Sequence, residues 1–343
     1  MNHGSSDERA ASAPMALLAL ASGAWIGQAV HVAARLGIAD LLGDGPKPPA
    51  ALAAATGTDA TALYRLLRAL ASLGVFAEDA GGRFTLTPLA EGLRSDTPGS
   101  LRGYAIMMGE EWHWRAWGEL LESVRTGGSA FERVHGCELF RYFAEHPEAA
   151  RVFNAAMTSR TGQETAAVTG AYDWPAGTIV DVGGGQGALL TAILARRPEA
   201  RGILFDLPHV IDAARRPIEE KGLAARCELV GGDFFDRVPA GGDLYLIKRV
   251  LHDWDDGRAA AILRCCRAAM AADARLLVIE HVLPPGNAPS WGKLLDLQML
   301  VLTPGGQERD EAGFHGLLAT AGFRLERVLP AGPTASLIEA LPV

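Results

Sequence analysis

The chain has 343 residues, of which 49% are hydrophobic and 21% charged, with a formal net charge of −8. That length can bury a large core in two domains, and the acid excess argues against nucleic-acid binding, which requires a basic surface. Four cysteines, two of them the neighbours Cys265 and Cys266, have neither metal-ligand nor disulfide spacing, which points to a reducing cytoplasm.

Residues 1–12 are polar and expected to be disordered. The stretch Ala10 to Ala34 is free of charge, but it is interrupted by Gln28 and His31, is dominated by Ala, Ser and Gly, and follows Asp7-Glu8-Arg9 rather than a positive segment. A signal peptide or membrane span is therefore not expected, and a mostly buried helix at a subunit contact is. Residues 13–100 read as helices over Trp25 to Leu42, Pro49 to Ala54 and Asp59 to Leu73, then strands at Val75-Phe76 and Arg83 to Leu86 around Gly81-Gly82. Thr58-Asp59 before Leu63, Leu66, Leu67 and Leu70 fits a capped amphipathic helix. Helices followed by a hairpin suggest a winged-helix-like module, whose rival reading is a DNA-binding regulator. Six Lys or Arg against seven Asp or Glu between Pro14 and Ser100 leave that rival without a phosphate-binding surface.

Residues 101–168 read as a helical connector rich in Met107, Met108, Trp112, Trp114 and Trp117, for which core packing is the default. Residues 169–343 alternate strand and helix, with strands at Ile179 to Val182, Gly202 to Asp206, Cys227 to Val230, Leu244 to Lys248 and Leu276 to Glu280. This is the pattern of an α/β, Rossmann-like, largely parallel sheet with helices on both faces. Phe323 to Leu329 and Ala335 to Leu341 leave no room for a helix between them, so they predict an antiparallel hairpin and a seven-stranded sheet with its last strand reversed.

The first of these strands runs as Ile179-Val180-Asp181-Val182 into Gly183-Gly184-Gly185-Gln186-Gly187. Glycine permits positive φ and close ligand approach, and the next helix offers its N-terminal amides, so the turn suits a nucleotide. Gly183-x-Gly185-x-x-Ala188 also fits a dinucleotide fingerprint, with Asp206 at the distance of a ribose-binding acid. Asp233-Phe234 after the third strand pairs an acid with a ring, suited to the edge and face of adenine. The fourth strand runs into His252-Asp253-Trp254-Asp255-Asp256, which puts a histidine at the carboxyl edge of the sheet.

Taken together, DVGGGQG, FDLPHV from Phe205 to Val210, GGDFF and LHDWDD, in this order, resemble the S-adenosylmethionine-dependent O-methyltransferases of plant phenolics, hydroxyindoles and bacterial aromatic antibiotics. The resemblance implies that residues 13–100 form a homodimerisation domain and that S-adenosylmethionine takes the place of a dinucleotide. Gly183 and Gly185 would approach its amino-acid end, Asp206 its ribose, Leu207, Asp233 and Phe234 its adenine, and either Lys248 or Arg249 would supply a cation. His252 would be the general base for a small aromatic hydroxylated acceptor, with Glu280 the expected orienting acid and Glu308 a second flanking acid. For both acids a solvated surface glutamate is the plain alternative, and Asp253 is as well suited to cap the next helix. The resemblance also implies that the connector lines the acceptor pocket, that Asn154 and Met157 lie on a helix over it, and that the helix Trp291 to Thr303, bearing Asp296 and Met299, covers it. The likeness is to the metal-free branch, so no metal, membrane or nucleic-acid partner is expected. Divergent homologues performing N-methylation, hydroxylation or decarboxylation are the remaining alternatives.

Overall fold

The structure, a computed structural model, describes residues 4–343, and their side chains apart from those of residues 4–12 and 163. The disorder expected over residues 1–12 lies outside the described residues at 1–3; from Gly4 the backbone is helical to Ala21. The chain forms two compact units, Met1–Glu111 with Ala155–Ser159, and Trp112–Asn154 with Arg160–Val343. The connector foreseen at 101–168 is thus divided between them.

In the first unit, helix Ala60–Ser72 starts at Asp59, whose carboxylate accepts from the Ala62 amide at 2.8 Å and so satisfies one of the free amides of the first turn. Its buried Leu63, Leu67 and Leu70 share a core with Ile38, Leu52, Phe76 and Phe84. The hairpin follows as β1 (Phe76–Glu78) and β2 (Phe84–Leu86), paired antiparallel. The apolar residues Met15, Leu17, Leu18, Leu20 and Trp25 stand exposed on the single chain, Trp25 to 76%.

The second unit is built on seven strands: β3 (Thr178–Val182), β4 (Arg201–Asp206), β5 (Cys227–Gly231), β6 (Leu244–Lys248), β7 (Arg275–Glu280), β8 (Phe323–Pro330) and β9 (Ser336–Pro342). Their order is β5-β4-β3-β6-β7-β9-β8, parallel from β5 through β7, with β9 antiparallel to both β7 and β8. Alternation divides the strands between two cores. Val180, Val182, Tyr245, Ile247, Leu276 and Val278 belong to one, and Ile179, Leu244, Leu246, Leu277 and Ile279 to the other. Apolar side chains on both faces explain why β3, β6 and β7 read as nearly continuous hydrophobic runs. Strand order reverses at β3, so the crevice for a ligand opens at the carboxyl ends of β3, β4 and β6.

Candidate active site

At the end of β3 the backbone turns through Gly183 (φ 69°), Gly185 (φ 59°) and Gly187 (φ 73°) into helix Ala188–Arg196. Only glycine takes this succession of left-handed conformations without strain. A Cβ on Gly183 would fall 2.7 Å from Val250 Cγ2, whereas one on Gly185 would meet nothing within 4 Å, so Gly185 is the point at which the backbone faces open space. Asp181 is buried below the turn, where burial, reinforced by Asp206, pushes its carboxyl up to about 7.

Asp206, half-buried at the end of β4, accepts from the amides of Gly185 at 2.8 Å and Leu207 at 2.7 Å, one on each oxygen. Burial raises its pKa against these two bonds. The amides fix the carboxylate's orientation, and each oxygen retains a further acceptor direction. Leu207 is half-buried beside it. After β5, Asp233 is exposed and accepts from the Phe235 amide at 2.8 Å. The Phe234 ring packs edge-on to Phe235 and Trp254, and its Cε1 would lie 3.6 Å from a Cβ on Gly183. Gly183, Gly185, Asp206 and Phe234 therefore converge on one crevice.

Lys248 and Arg249 both engage Glu164, on helix Pro147–Gly170. Lys248 Nζ is 3.2 Å from Glu164 Oε2 and donates to Thr161 Oγ1; Arg249 Nη2 donates to Glu164 Oε1 at 2.8 Å and to the Thr334 carbonyl. Burial would push Glu164 up, but Arg249 and Lys248 outweigh it and hold the carboxyl at about 2. Sequence reasoning missed Glu164, since a lone glutamate in a helix belongs to no motif. The signal was indirect: two adjacent cations at the end of a buried strand need a counter-charge.

His252 lies in the single 3₁₀ turn Leu251–Asp253 that follows β6 and is buried. Its Nδ1 bonds Glu308 Oε1 at 2.6 Å. A carboxylate can only accept, so Nδ1 carries the hydrogen and Nε2 is the nitrogen left to take a proton. Glu280, at the end of β7 and fully buried, was expected to orient this ring. Instead its Oε1 accepts from the amides of Val250 and Leu251 at 3.1 Å each, and its Oε2 is 3.6 Å from His252 Nδ1. Glu308 makes the orienting bond and Glu280 shapes the turn that carries the histidine. Asp253 Oδ1 is 3.6 Å from Nε2, while the helix Asp256–Ala269 is capped by Asp255, which accepts from the Arg258 amide. Asp256 pairs with the buried Arg309, whose guanidinium also donates to the carbonyls of Leu251 and Trp254.

Burial disfavours the His252 imidazolium, but Glu280, Glu308 and Asp253 outweigh it and raise the pKa to about 9. Burial drives Glu280 up, against His252; at Glu308 the charge and hydrogen bond of His252 win over burial and hold the carboxyl down. Asp253 is raised to about 7, chiefly by burial. Ligand atoms of His252, Glu280 and Glu308 lie within 4.8 Å of one another. The short His–Glu bond and the two amides on Glu280 nevertheless make this a hydrogen-bonded, proton-holding cluster.

Helix Trp291–Leu302 buries Leu295, Met299, Val301 and Leu302. Asp296 Oδ1 accepts from the Glu308 amide at 2.8 Å, so its carboxylate secures the loop that presents Glu308. Gln298, also missed from the sequence, is buried and accepts from Trp117 Nε1 at 2.5 Å, with His113 Nε2 at 3.1 Å. Trp112 is core, packed edge-on to Phe131 and Phe143, whereas Trp114 is exposed. Asn154 is half-buried in the second unit, and Met157 is half-buried in the segment that belongs to the first.

Comparison with known proteins agrees along almost the whole chain. The family model of the O-methyltransferase domain matches residues 117–324, and that of the O-methyltransferase dimerisation domain matches residues 18–96. Phenazine O-methyltransferase PhzM of Lysobacter antibioticus is 52% identical over 340 residues, covering 98% of this chain and 99% of that protein. The crystal structure of LaPhzM superposes with a TM-score of 0.92 at 52% identity, over 96% of this chain and 99% of that one. The O-methyltransferase NcsB1 from neocarzinostatin biosynthesis, solved with S-adenosylmethionine and 2-hydroxy-5-methyl naphthoic acid, superposes with a TM-score of 0.78 at 35% identity, over 93% and 96% of the two chains.

Proposed function

The chain belongs to the O-methyltransferase family, and on that premise we propose that it moves a methyl group from S-adenosylmethionine to a hydroxyl of an aromatic, phenolic or polycyclic molecule of secondary metabolism, with His252 as general base. The observation that carries the choice of base is the 2.6 Å bond from Nδ1 to Glu308, which holds the ring in one tautomer with Nε2 as the accepting nitrogen. The crevice suits the cofactor on its own terms. Gly185 faces open space, Asp206 has acceptor directions left for the two ribose hydroxyls, and Asp233 and Phe234 offer an acid and a ring to adenine.

Methyl transfer to a phenol needs in-line alignment and removal of a proton. Near-attack geometry can contribute roughly 7–11 kcal/mol, and a positioned base a factor of about 10²–10⁴. With its protein neighbours alone, His252 keeps its second proton to about pH 9, and a base must lose that proton before it can act. S-adenosylmethionine supplies its methyl group on a positively charged sulfur, whose charge disfavours an imidazolium beside it. Glu308 then stabilises the charge that returns to the ring as the phenolic proton arrives. We assign Met299 and Asn154 to the acceptor's walls, and assign Asp296 to the support of Glu308.

The exposed Leu18, Leu20 and Trp25, within the dimerisation-domain match, support a homodimer, and a monomeric mass at micromolar concentration would refute it. Among the described residues no single helix is long and apolar enough to cross a membrane, although Ala13–Ala21 and Gly23–Arg35 pass that test together with a 46° bend between them. The acid excess and the free thiols Cys137, Cys227, Cys265 and Cys266 favour a cytoplasmic enzyme without a nucleic-acid partner. The deciding experiment offers a panel of hydroxylated and aminated aromatics with methyl-labelled S-adenosylmethionine and identifies the products by mass spectrometry. Label on a phenolic oxygen supports the proposal; label on nitrogen alone, or a hydroxylated or decarboxylated product without label, refutes it.

A further inference from the structure

Arg249 is the only non-glycine among the described residues with positive φ, at 55°. Side chains at successive strand positions point to opposite faces, yet at the end of β6 Lys248 and Arg249 both reach the carboxylate of Glu164. The left-handed conformation, which side-chain-bearing residues avoid, is what allows both to do so. Arg249 gains a second neighbour in this way. Its Nη2 is taken by Glu164 and the Thr334 carbonyl, while Nη1 is buried without a hydrogen-bond partner. Nη1 lies 3.9 Å from Glu280 Oε2, which is also buried and without a hydrogen bond, and that oxygen is 3.6 Å from His252 Nδ1. Glu280 Oε2 thus lies between two cationic groups.

We propose that Arg249 is a positioning residue of the catalytic cluster, its guanidinium supporting the charge of Glu280 behind His252 while Glu164 holds it from the other side. Its importance for turnover rests on His252 being the base, though its effect on His252 does not. Around Arg249 lie Glu164, Lys248, Arg160, Glu280, Glu308 and His281, and around His252 lie Glu280, Glu308 and Asp253. Burial above all keeps His281 neutral, pushing it down to about 4, so this ring adds no charge near neutral pH. Glu280, fully buried, tends toward its neutral form, and Arg249 and His252 are the cations that oppose this. Loss of Arg249 moves Glu280 further toward its neutral form and weakens the largest attraction that His252 feels. Loss of Glu164 frees the guanidinium to close on Glu280 and strengthens that attraction.

The two changes must therefore move His252 in opposite directions. The test titrates His252 by NMR in full-length protein carrying labelled histidine and saturated with S-adenosylhomocysteine, with the resonance assigned by His252→Asn. Arg249→Gln should lower the midpoint by about one pH unit, Glu164→Gln should raise it, and Arg249→Lys should restore it. S-adenosylhomocysteine affinity should hold within about threefold in Arg249→Gln. An unmoved or raised midpoint in Arg249→Gln overturns the proposal, as does a fall in Glu164→Gln, which decides the matter alone if the arginine variant does not fold. A tenfold or so loss of affinity with an unmoved midpoint would make Arg249 a cofactor ligand instead. Wild-type turnover in His252→Ala would remove the base assignment and leave these midpoints to be judged separately.

Discussion

Replacing Glu308 with glutamine keeps the shape of the side chain and removes the charge 2.6 Å from His252 Nδ1. A hydrogen bond to a charged group contributes about 1.5–3 kcal/mol and a neutral one about 0.5–1.5, so the imidazolium loses about 1–2 kcal/mol. That lowers the His252 pKa from about 9 by roughly one unit. The same loss falls on the transition state, in which the ring becomes cationic, and lowers kcat about 5- to 30-fold. Glu280→Gln should behave differently. Charge alone would rank Glu280 above Glu308 as an influence on His252, whereas hydrogen-bond geometry ranks Glu308 first. We give geometry the greater weight for turnover, because the accepting nitrogen must be aimed as well as basic. The glutamine carbonyl can keep the two backbone bonds made by Glu280 Oε1. The assay is kcat against pH, read both at its high-pH plateau, where the base is free of its proton in every variant, and at its midpoint. Both variants should shift the midpoint down and lower the plateau, but Glu308→Gln should lower the plateau further, because it alone weakens the bond that aims the ring. A plateau in Glu280→Gln as low as in Glu308→Gln would refute the assignment of the orienting bond.

Asp206→Ala should weaken S-adenosylhomocysteine binding by about 1.5–3 kcal/mol, because it removes charge-assisted hydrogen bonds; calorimetry giving the wild-type Kd would contradict this. At pH 8, S-adenosylmethionine binding should release protons and binding of uncharged-sulfur S-adenosylhomocysteine should release fewer, since His252 is still protonated there; calorimetry in buffers of different ionisation enthalpy checks it, and equal release by both would sink the idea that the sulfonium charge frees the base. His252 also contributes to stability with a definite sign. Its folded pKa is raised to about 9, so its stabilisation is fully present below the ordinary histidine value of 6.5 that holds in the unfolded chain, and is lost as pH rises through about 9. The Tm advantage of the wild type over His252→Asn should therefore shrink across that interval, and a constant gap would contradict the shift.

Much of this molecule is readable in short windows. Leu244–Lys248 is an apolar run whose ends coincide with β6, and Asp59 before an amphipathic repeat caps its helix. His252 is legible because it follows a strand within a run of residues that also carries its neighbours. What escaped depends on contacts between distant segments. Glu164 meets Arg249 across 85 positions, and Gln298 meets His113 across 185. The order of Glu280 and Glu308 turns on which oxygen lies within bonding distance of one nitrogen, a matter of rotamers that spacing does not encode. Asp296 reads as a polar group on an apolar helix face, and only the fold reveals that the Glu308 amide is its partner.

The most direct measurement is the rate of methyl transfer by His252→Ala between pH 7 and 10, with S-adenosylhomocysteine affinity followed in parallel. The account predicts a fall in kcat of about 10²–10⁴ near neutral pH with cofactor affinity almost unchanged. Turnover like that of the wild type across the whole range would contradict it, removing His252 from the chemistry and leaving alignment of the acceptor as the source of the rate.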